Sequence, residues 1–357
     1  MPCKDSLVGS LQQMLMGGKM LNIYEDNGYI DMEKLIKLKG IWLLIIIGAR
    51  GIGKTYGVCK YLIKHDDAVM MLIRRTVTQI ELINIPEFSP LTKPAEDLGF
   101  GFRMKHLAKN YSGIYTLDEP PRLLAYTAAM STFSNIRGFD ASDVNFIFYD
   151  EFQPERGERD IKNEGEKFLN LYETVNRNRE LDGKPPVKAI LASNANDINS
   201  PILRELDLVD VCARMQERGQ EVYMNTTRGI AVIMPQFSEI SKKKANTALY
   251  RAVNKSGDFA QMALNNAFDE VYDIKTYPLV EFNPVARIKN INIYQHKSRK
   301  FIYISAHAAG SCMEFDDNEG SLRQFLRYFD WLYDVYMSGD MIFESLQIKQ
   351  EFEKIIF

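Results

Sequence analysis

The sequence is poor in cysteine and has no long apolar run. Its four cysteines, Cys3, Cys59, Cys212 and Cys312, are scattered over 357 residues without a C-x-x-C pair. That argues against a disulfide framework or a zinc site and suits a reducing, intracellular setting. The strongest apolar stretch, Ile41 to Ile47, is seven residues long, where a membrane helix needs about twenty. Met1-Pro2-Cys3-Lys4-Asp5 lacks the charged-then-apolar layout of a secretory signal, so a soluble protein without a membrane partner is expected. Excess positive charge is absent as well: 44 Lys+Arg stand against 47 Asp+Glu, a net charge of −3. This excludes a protein that coats nucleic acid by bulk charge, while leaving room for local basic surfaces. His65, His106, His296 and His307 show no metal-ligand spacing. The remaining composition, 46% hydrophobic and 25% charged, is ordinary for a globular chain.

The short apolar run, bounded by Gly40 and Gly48, reads as a strand buried on both faces of a parallel sheet. It is followed by Gly48-Ala49-Arg50-Gly51-Ile52-Gly53-Lys54-Thr55, a complete match to the phosphate-binding pattern G-x-x-x-x-G-K-[ST]. The glycines let successive N–H groups turn inward onto phosphate oxygens. Lys54 is placed for the β- and γ-phosphates of ATP, Thr55 for Mg²⁺, and helical spacing through Ile63 puts the phosphates at a helix N-terminus. Arg50, inside the loop, adds a cation suited to charge neutralisation or to an outward salt bridge.

A second apolar strand, Val144 to Tyr149, ends in Asp150-Glu151. A strand-end Asp suits Mg²⁺, and the following Glu suits polarising a water, which favours hydrolysis over transfer to a metabolite. A third strand, Val187 to Ala192, ends in Ser193-Asn194, where open α/β sheets bind ligands. Asn194 fits a γ-phosphate sensor and fits a turn or helix cap equally well. Between these motifs, Phe168, Leu169, Leu171, Tyr172 and Val175 recur at helical spacing, with Glu164 and Glu166 at the start and Asp182-Gly183-Lys184-Pro185-Pro186 as the stop. Asn176-Arg177-Asn178-Arg179 precedes that stop; such arginines complement a helix dipole or reach a neighbouring subunit as a finger. Arg74-Arg75, at another strand end, suits nucleotide, DNA or solvent, and Arg137-Gly138 suits a turn before the Asp150 strand.

Four segments in this order, Ile47 to Thr55, Phe148 to Phe152, Leu169 to Glu180 and Ser193 to Ala195, resemble the DNA-packaging ATPase of the small phi29-like podoviruses. The resemblance is specific over about residues 40–206 and weaker beyond. It implies an additional-strand (ASCE) P-loop ATPase domain over residues 1–236, a small helical linker over 237–276, and a C-terminal α+β domain over 277–357, RNase H-like and a vestigial nuclease. It further implies a homopentameric ring at the portal of an empty prohead in the host cytoplasm, driving double-stranded DNA inward, in some relatives with a structural packaging RNA. By position, Gly48, Arg50, Gly51, Gly53, Lys54, Thr55 and Asn194 would hold nucleotide, Thr55 and Asp150 the metal, Glu151 would be the catalytic base and Arg177 the trans-acting finger.

In the C-terminal part, alternating runs at 290–294 and 301–305 read as strands joined by the basic turn His296-Lys297-Ser298-Arg299-Lys300. Residues 282–313 contain neither Asp nor Glu, and Glu314, Asp316, Asp317 and Glu319 follow in one loop-like run. A two-metal nuclease needs carboxylates on neighbouring strands, so nuclease activity is not expected. Lys297, Arg299 and Lys300, together with Lys242, Lys243 and Lys244 in the linker, are the candidate phosphate-backbone contacts. Three other readings fit parts of the pattern: a terminase with a working nuclease, a P-loop ATPase or kinase that does not act on DNA, and a ring-forming adaptor with a vestigial ATP site.

Overall fold

The computed structural model describes residues 21–108, 111–136, 141–154, 161–196, 198, 200–236, 238–252, 276–316, 318–338 and 340–356. Arg137-Gly138, Asp317 and linker residues 253–275 fall outside these. The chain divides into two compact units, residues up to 206 with 214–269, and residues 207–213 with 270–357.

The first unit is built on strands β1 (Leu43–Ile47), β2 (Met70–Arg74), β3 (Phe102–Ala108), β4 (Tyr111–Thr116), β5 (Leu123–Ala129), β6 (Phe146–Asp150), β7 (Lys188–Ser193), β8 (Val222–Asn225) and β9 (Ile230–Ile233). They form one sheet in the order β3-β4-β5-β2-β6-β7-β1-β9-β8. The six central strands are parallel, and β3, β4 and β8 add antiparallel edges. β1 is buried at all five positions, as a Leu/Ile run with helices on both faces should be. The strand carrying Ser193-Asn194, β7, lies between β1 and β6, which is the extra strand that sets ASCE ATPases apart.

The described α-helices of this unit, in chain order, are α1 (Met32–Ile36), α2 (Lys54–Lys64), α3 (Val77–Ile83), α4 (Thr92–Leu98), α5 (Glu164–Asn176), α6 (Pro201–Glu205), α7 (Val209–Glu217, divided between the units), α8 (Glu239–Lys244) and α9 (Ala248–Ala252). α2 buries Val58, Cys59, Leu62 and Ile63, and α5 buries Phe168, Leu171 and Val175, the apolar stripes that dock them on the sheet. α5 stops at Asn176, ahead of the Asp182–Pro186 stop expected from the sequence. Arg177 takes φ 45°, ψ −130° there, which ends the helical path.

The turn after β6 is tied down from beneath. Arg75 and Glu164 are buried (1% and 0% exposed). Arg75 Nη1 meets Glu164 Oε2 at 2.6 Å and donates to the Phe152 carbonyl at 3.3 Å, while the Tyr149 hydroxyl donates to Glu164. One ion pair therefore joins the end of β2, the end of β6 and the start of α5.

The second unit holds a five-stranded sheet of β10 (Phe282–Ile288), β11 (Ile291–His296), β12 (Ile302–Ser305), β13 (Met313–Phe315) and β14 (Met341–Phe343), in the order β13-β10-β11-β12-β14. β10, β11 and β12 are antiparallel, and β13 runs parallel to β10. That reproduces the 3-2-1-4 strand order of RNase H-like folds, with β14 instead beside β12. Helices Glu319–Tyr328, Trp331–Ser338 and Leu346–Ile356 contribute Phe325, Leu332 and Phe352 to a core with Ile288, Ile293 and Ile304.

Removing one member of a buried ion pair strands the other charge in the core. Arg75→Met should lower the stability of the ATPase unit by about 3–5 kcal/mol, read from the urea unfolding midpoint. The double variant Arg75→Met/Glu164→Leu should recover much of that loss.

Candidate nucleotide-binding site

Parallel register brings the sequence motifs to one edge of the sheet. Ile47 lies level with Ser193, and Asp150 with Ala192, so the loop after β1, the acidic pair after β6 and the polar end of β7 emerge side by side. Gly51 (φ 73°) and Gly53 (φ 97°) hold left-handed conformations that let the loop curl. Gly53 directly precedes α2, and a Cβ there would press on the Tyr29 ring at 3.2 Å. Around the loop lies a cavity of about 710 Å³, a volume suited to a nucleotide, lined by Arg50, Gly51, Gly53, Lys54, Thr55, Asp150, Glu151 and Asn194 among others.

Lys54 is buried, and its ammonium donates to the Gly48 and Ala49 carbonyls at 2.6 and 2.9 Å and to Asn194 Oδ1 at 3.2 Å. Burial pulls its pKa down to about 7; Asp150 and Glu151 oppose that pull, while Lys244 and Arg50 add to it. The Thr55 hydroxyl donates to Asp150 at 3.0 Å. Two hard oxygen donors so close together, one of them a carboxylate only 2% exposed, fit Mg²⁺, and no softer ligand set competes among the described residues. Arg74 spans both acids: Nη2 lies 2.7 Å from Asp150 Oδ2, and Nη1 pairs with Glu151. Glu151 itself is half exposed and sits at φ 56°, a conformation that costs a non-glycine residue about 1–3 kcal/mol. Asn194 is not a helix cap, since Ser200 stands at the N-cap of α6 and the Asn194 side chain meets Lys54.

Arg177 is not brought to this edge. α5 leaves the sheet after β6 and returns before β7, and Asn176 Oδ1 accepts from the Val187 N–H while Arg179 Nη1 donates to the Val144 carbonyl at 3.2 Å. These contacts put both arginines at the amino ends of the strands, about 20 Å along the helix from the P-loop edge. Arg177 is exposed, with Nε donating to the Thr174 carbonyl at 3.2 Å, so it is no ligand of its own chain's phosphates.

Sequence reasoning missed several contributors. Arg74 was left among three roles, and its engagement of both carboxylates follows only from the β2–β6 pairing. The segment before β1 and α4 supply Glu25, Asn27, Tyr29, Lys93 and Asp97 to the cavity, with no local motif to mark them. Lys242 is paired with Glu239, and Lys243 is exposed. Lys244 lies against the P-loop, where its Nζ donates to the Arg50 carbonyl. In the second unit, Lys297 donates to the Val280 carbonyl, and Arg299 and Lys300 are exposed on the same turn. Glu314, from the acidic run, is spent on Arg287.

The model of the podovirus DNA encapsidation protein (Gp16) family matches residues 25–281. The chain belongs to that family. It is 26% identical over 246 residues to the DNA packaging proteins of Bacillus phages phi29 and PZA, covering 67% of this chain and 66% of each relative's length. In fold, it is similar to the bacteriophage Phi-29 viral genome packaging motor assembly (TM-score 0.62, 18% identity, 94% of this chain and 100% of that one). It is also similar to the Phi-28 gp11 DNA packaging motor (TM-score 0.55, 18% identity, 93% and 97%). The family's fold is thus a P-loop ATPase unit followed by a C-terminal α+β unit, as the resemblance implied, and no described helix is long and apolar enough to cross a membrane.

The depressed pKa of Lys54 has a measurable consequence. Above pH 7 the nucleotide-free side chain loses its proton, and a bound polyphosphate restores it. Nucleotide binding at pH 8 should therefore take up close to one proton, seen by calorimetry in buffers of different ionisation enthalpy. Affinity should fall as the pH rises from 7 to 9.

Proposed function

We propose that the chain is the ATP-driven subunit of a viral motor that translocates double-stranded DNA into a prohead. The observation that carries this reading is the convergence of Lys54, Thr55, Asp150, Glu151 and Asn194 at the carboxyl edge of a sheet with ASCE strand order, in a member of the encapsidation family. The active form on this reading is a homo-oligomeric ring, a pentamer as in the resemblance, seated on the portal of a prohead in the host cytoplasm. Residues 1–236 supply the ATPase, 237–276 the linker, and 277–357 a nucleic-acid-binding domain. Lys297, Arg299 and Lys300 there face phosphate, whether of DNA or of a packaging RNA.

The chain's own groups divide the work. Backbone N–H groups of residues 49–55 and the Lys54 ammonium hold the phosphates of ATP, while the Gly48 N–H pairs with the Ser193 carbonyl. Thr55 and Asp150 would hold Mg²⁺, which supplies charge neutralisation on the phosphate oxygens. Glu151, next to Asp150 yet half exposed, has both the position and the solvent access to accept a proton from the attacking water. Arg74 lies between the two neighbouring carboxylates and offsets their mutual repulsion. Asn194 links Lys54 to the end of β7 and registers loss of the terminal phosphate. Arg177, at the far edge of the sheet, serves the neighbouring subunit.

Glu151→Gln should bind ATP with near wild-type affinity and lose hydrolysis by about 10²–10⁴-fold, the range for a general base; hydrolysis at the wild-type rate would remove Glu151 from this role. Mixed rings of Arg177→Ala and Lys54→Ala subunits should regain part of the activity that each variant lacks alone, because an inactive site can lend its arginine to an active one. Absence of rescue in assembled mixed rings would refute action in trans.

A further inference from the structure

A cation from far along the chain rests on the P-loop beside Arg50 and Gly51. Lys244, the last residue of α8, donates from Nζ to the Arg50 carbonyl at 2.5 Å. The contact is built into the loop: Gly51 has no side chain, and a Cβ there would collide with the Lys244 ammonium. The helix that carries Lys244 is also anchored. Ser238 Oγ donates to the Gly28 carbonyl at 3.2 Å, and Gly28 (φ 86°) leaves space that Glu239 Cβ occupies. Residues 28–29 in turn abut Gly53 through the Tyr29 ring. α8 is thus fastened beside the nucleotide site at both ends, and its sister lysines are otherwise placed, Lys242 on Glu239 and Lys243 exposed.

Electrostatics give the contact a direction. Burial and the Arg50 guanidinium hold the Lys244 pKa below its ordinary value, and Lys244 in turn helps depress Lys54. Lys54, Arg50 and Lys244 crowd positive charge around a loop whose peptide N–H groups also point at phosphate. A carbonyl oxygen is a weak partner for an ammonium; an anion delivered to the same loop tip is a far stronger one.

We propose that Lys244 is a second lysine of the nucleotide site, which exchanges the Arg50 carbonyl for the terminal phosphate of a bound nucleoside triphosphate and so ties α8 to the nucleotide state. This rests on the reading of the P-loop cavity as an ATP site.

The test compares binding of MgAMP-PNP and MgADP by calorimetry to the full chain and its variants. Lys244→Ala should weaken MgAMP-PNP by about tenfold or more, the scale of one charge-assisted hydrogen bond, and change MgADP less than about twofold. Lys244→Arg, which keeps the cation, should retain most of the discrimination. Lys244→Met keeps the aliphatic stem and should match the alanine variant, so it serves if alanine perturbs folding. In wild type, MgAMP-PNP should slow amide exchange in α8 more than MgADP does, and Lys244→Met should abolish that difference. Equal losses for both nucleotides, or no loss for either, would overturn the inference and leave the ATP site standing. Failure of the wild type to bind either nucleotide would instead refute the ATP-site reading, and the inference with it.

Discussion

Asp150 is a carboxylate almost wholly removed from water at the end of a central strand, with a second carboxylate, Glu151, as its chain neighbour. Burial of that kind is tolerated only when charge and hydrogen bonds compensate it. Three groups do so: the Arg74 guanidinium, the Thr55 hydroxyl and, more remotely, the Lys54 ammonium. Much of the ATPase unit can be understood as the means of holding those groups in place. β2 pairs with β6 so that Arg74 ends beside Asp150, and the P-loop turns so that Thr55 enters α2 facing it. The Arg75–Glu164–Tyr149 cluster fixes the turn from below.

The same site is connected along the chain to Arg177. The same crossover that starts at Glu151 runs through α5 and ends at Arg177. Both ends, and Asn163 at the head of the helix, hold positive-φ backbone that a non-glycine residue adopts only under constraint. α5 spans the distance between the turn that follows β6 and the exposed Arg177 at the opposite edge of the sheet.

The motifs whose chemistry is local were legible in the sequence: the P-loop, the Asp150–Glu151 pair and the end of β7 are each continuous runs with a fixed structural meaning. The parallel sheet followed from the apolar runs, and the additional strand was implied by the family resemblance. What sequence reasoning could not supply were contacts made across the fold. Arg74 and Arg75 are adjacent, yet one faces the site and the other the core, because successive residues leaving a strand point to opposite sides. Lys242 to Lys244 read as one basic run, but helical geometry sends only Lys244 towards the P-loop. Arg177 lies just past the end of α5, and its distance from its own chain's P-loop depends on where that helix returns to the sheet. In the second unit β10 was not anticipated, since Phe282–Ile288 lacks the clean alternation of its neighbours.

A net charge of −3 is compatible with the proposed DNA motor, because net charge is an average that still leaves a local basic stretch such as the acid-free 282–313. The most direct test of the account is ATP turnover by the purified protein with and without double-stranded DNA and empty proheads, scored together with DNA that becomes resistant to added nuclease. The account predicts that turnover rises only when both are present and that protected DNA accumulates with ATP consumed. Turnover indifferent to DNA and proheads, with no DNA protected, would contradict it.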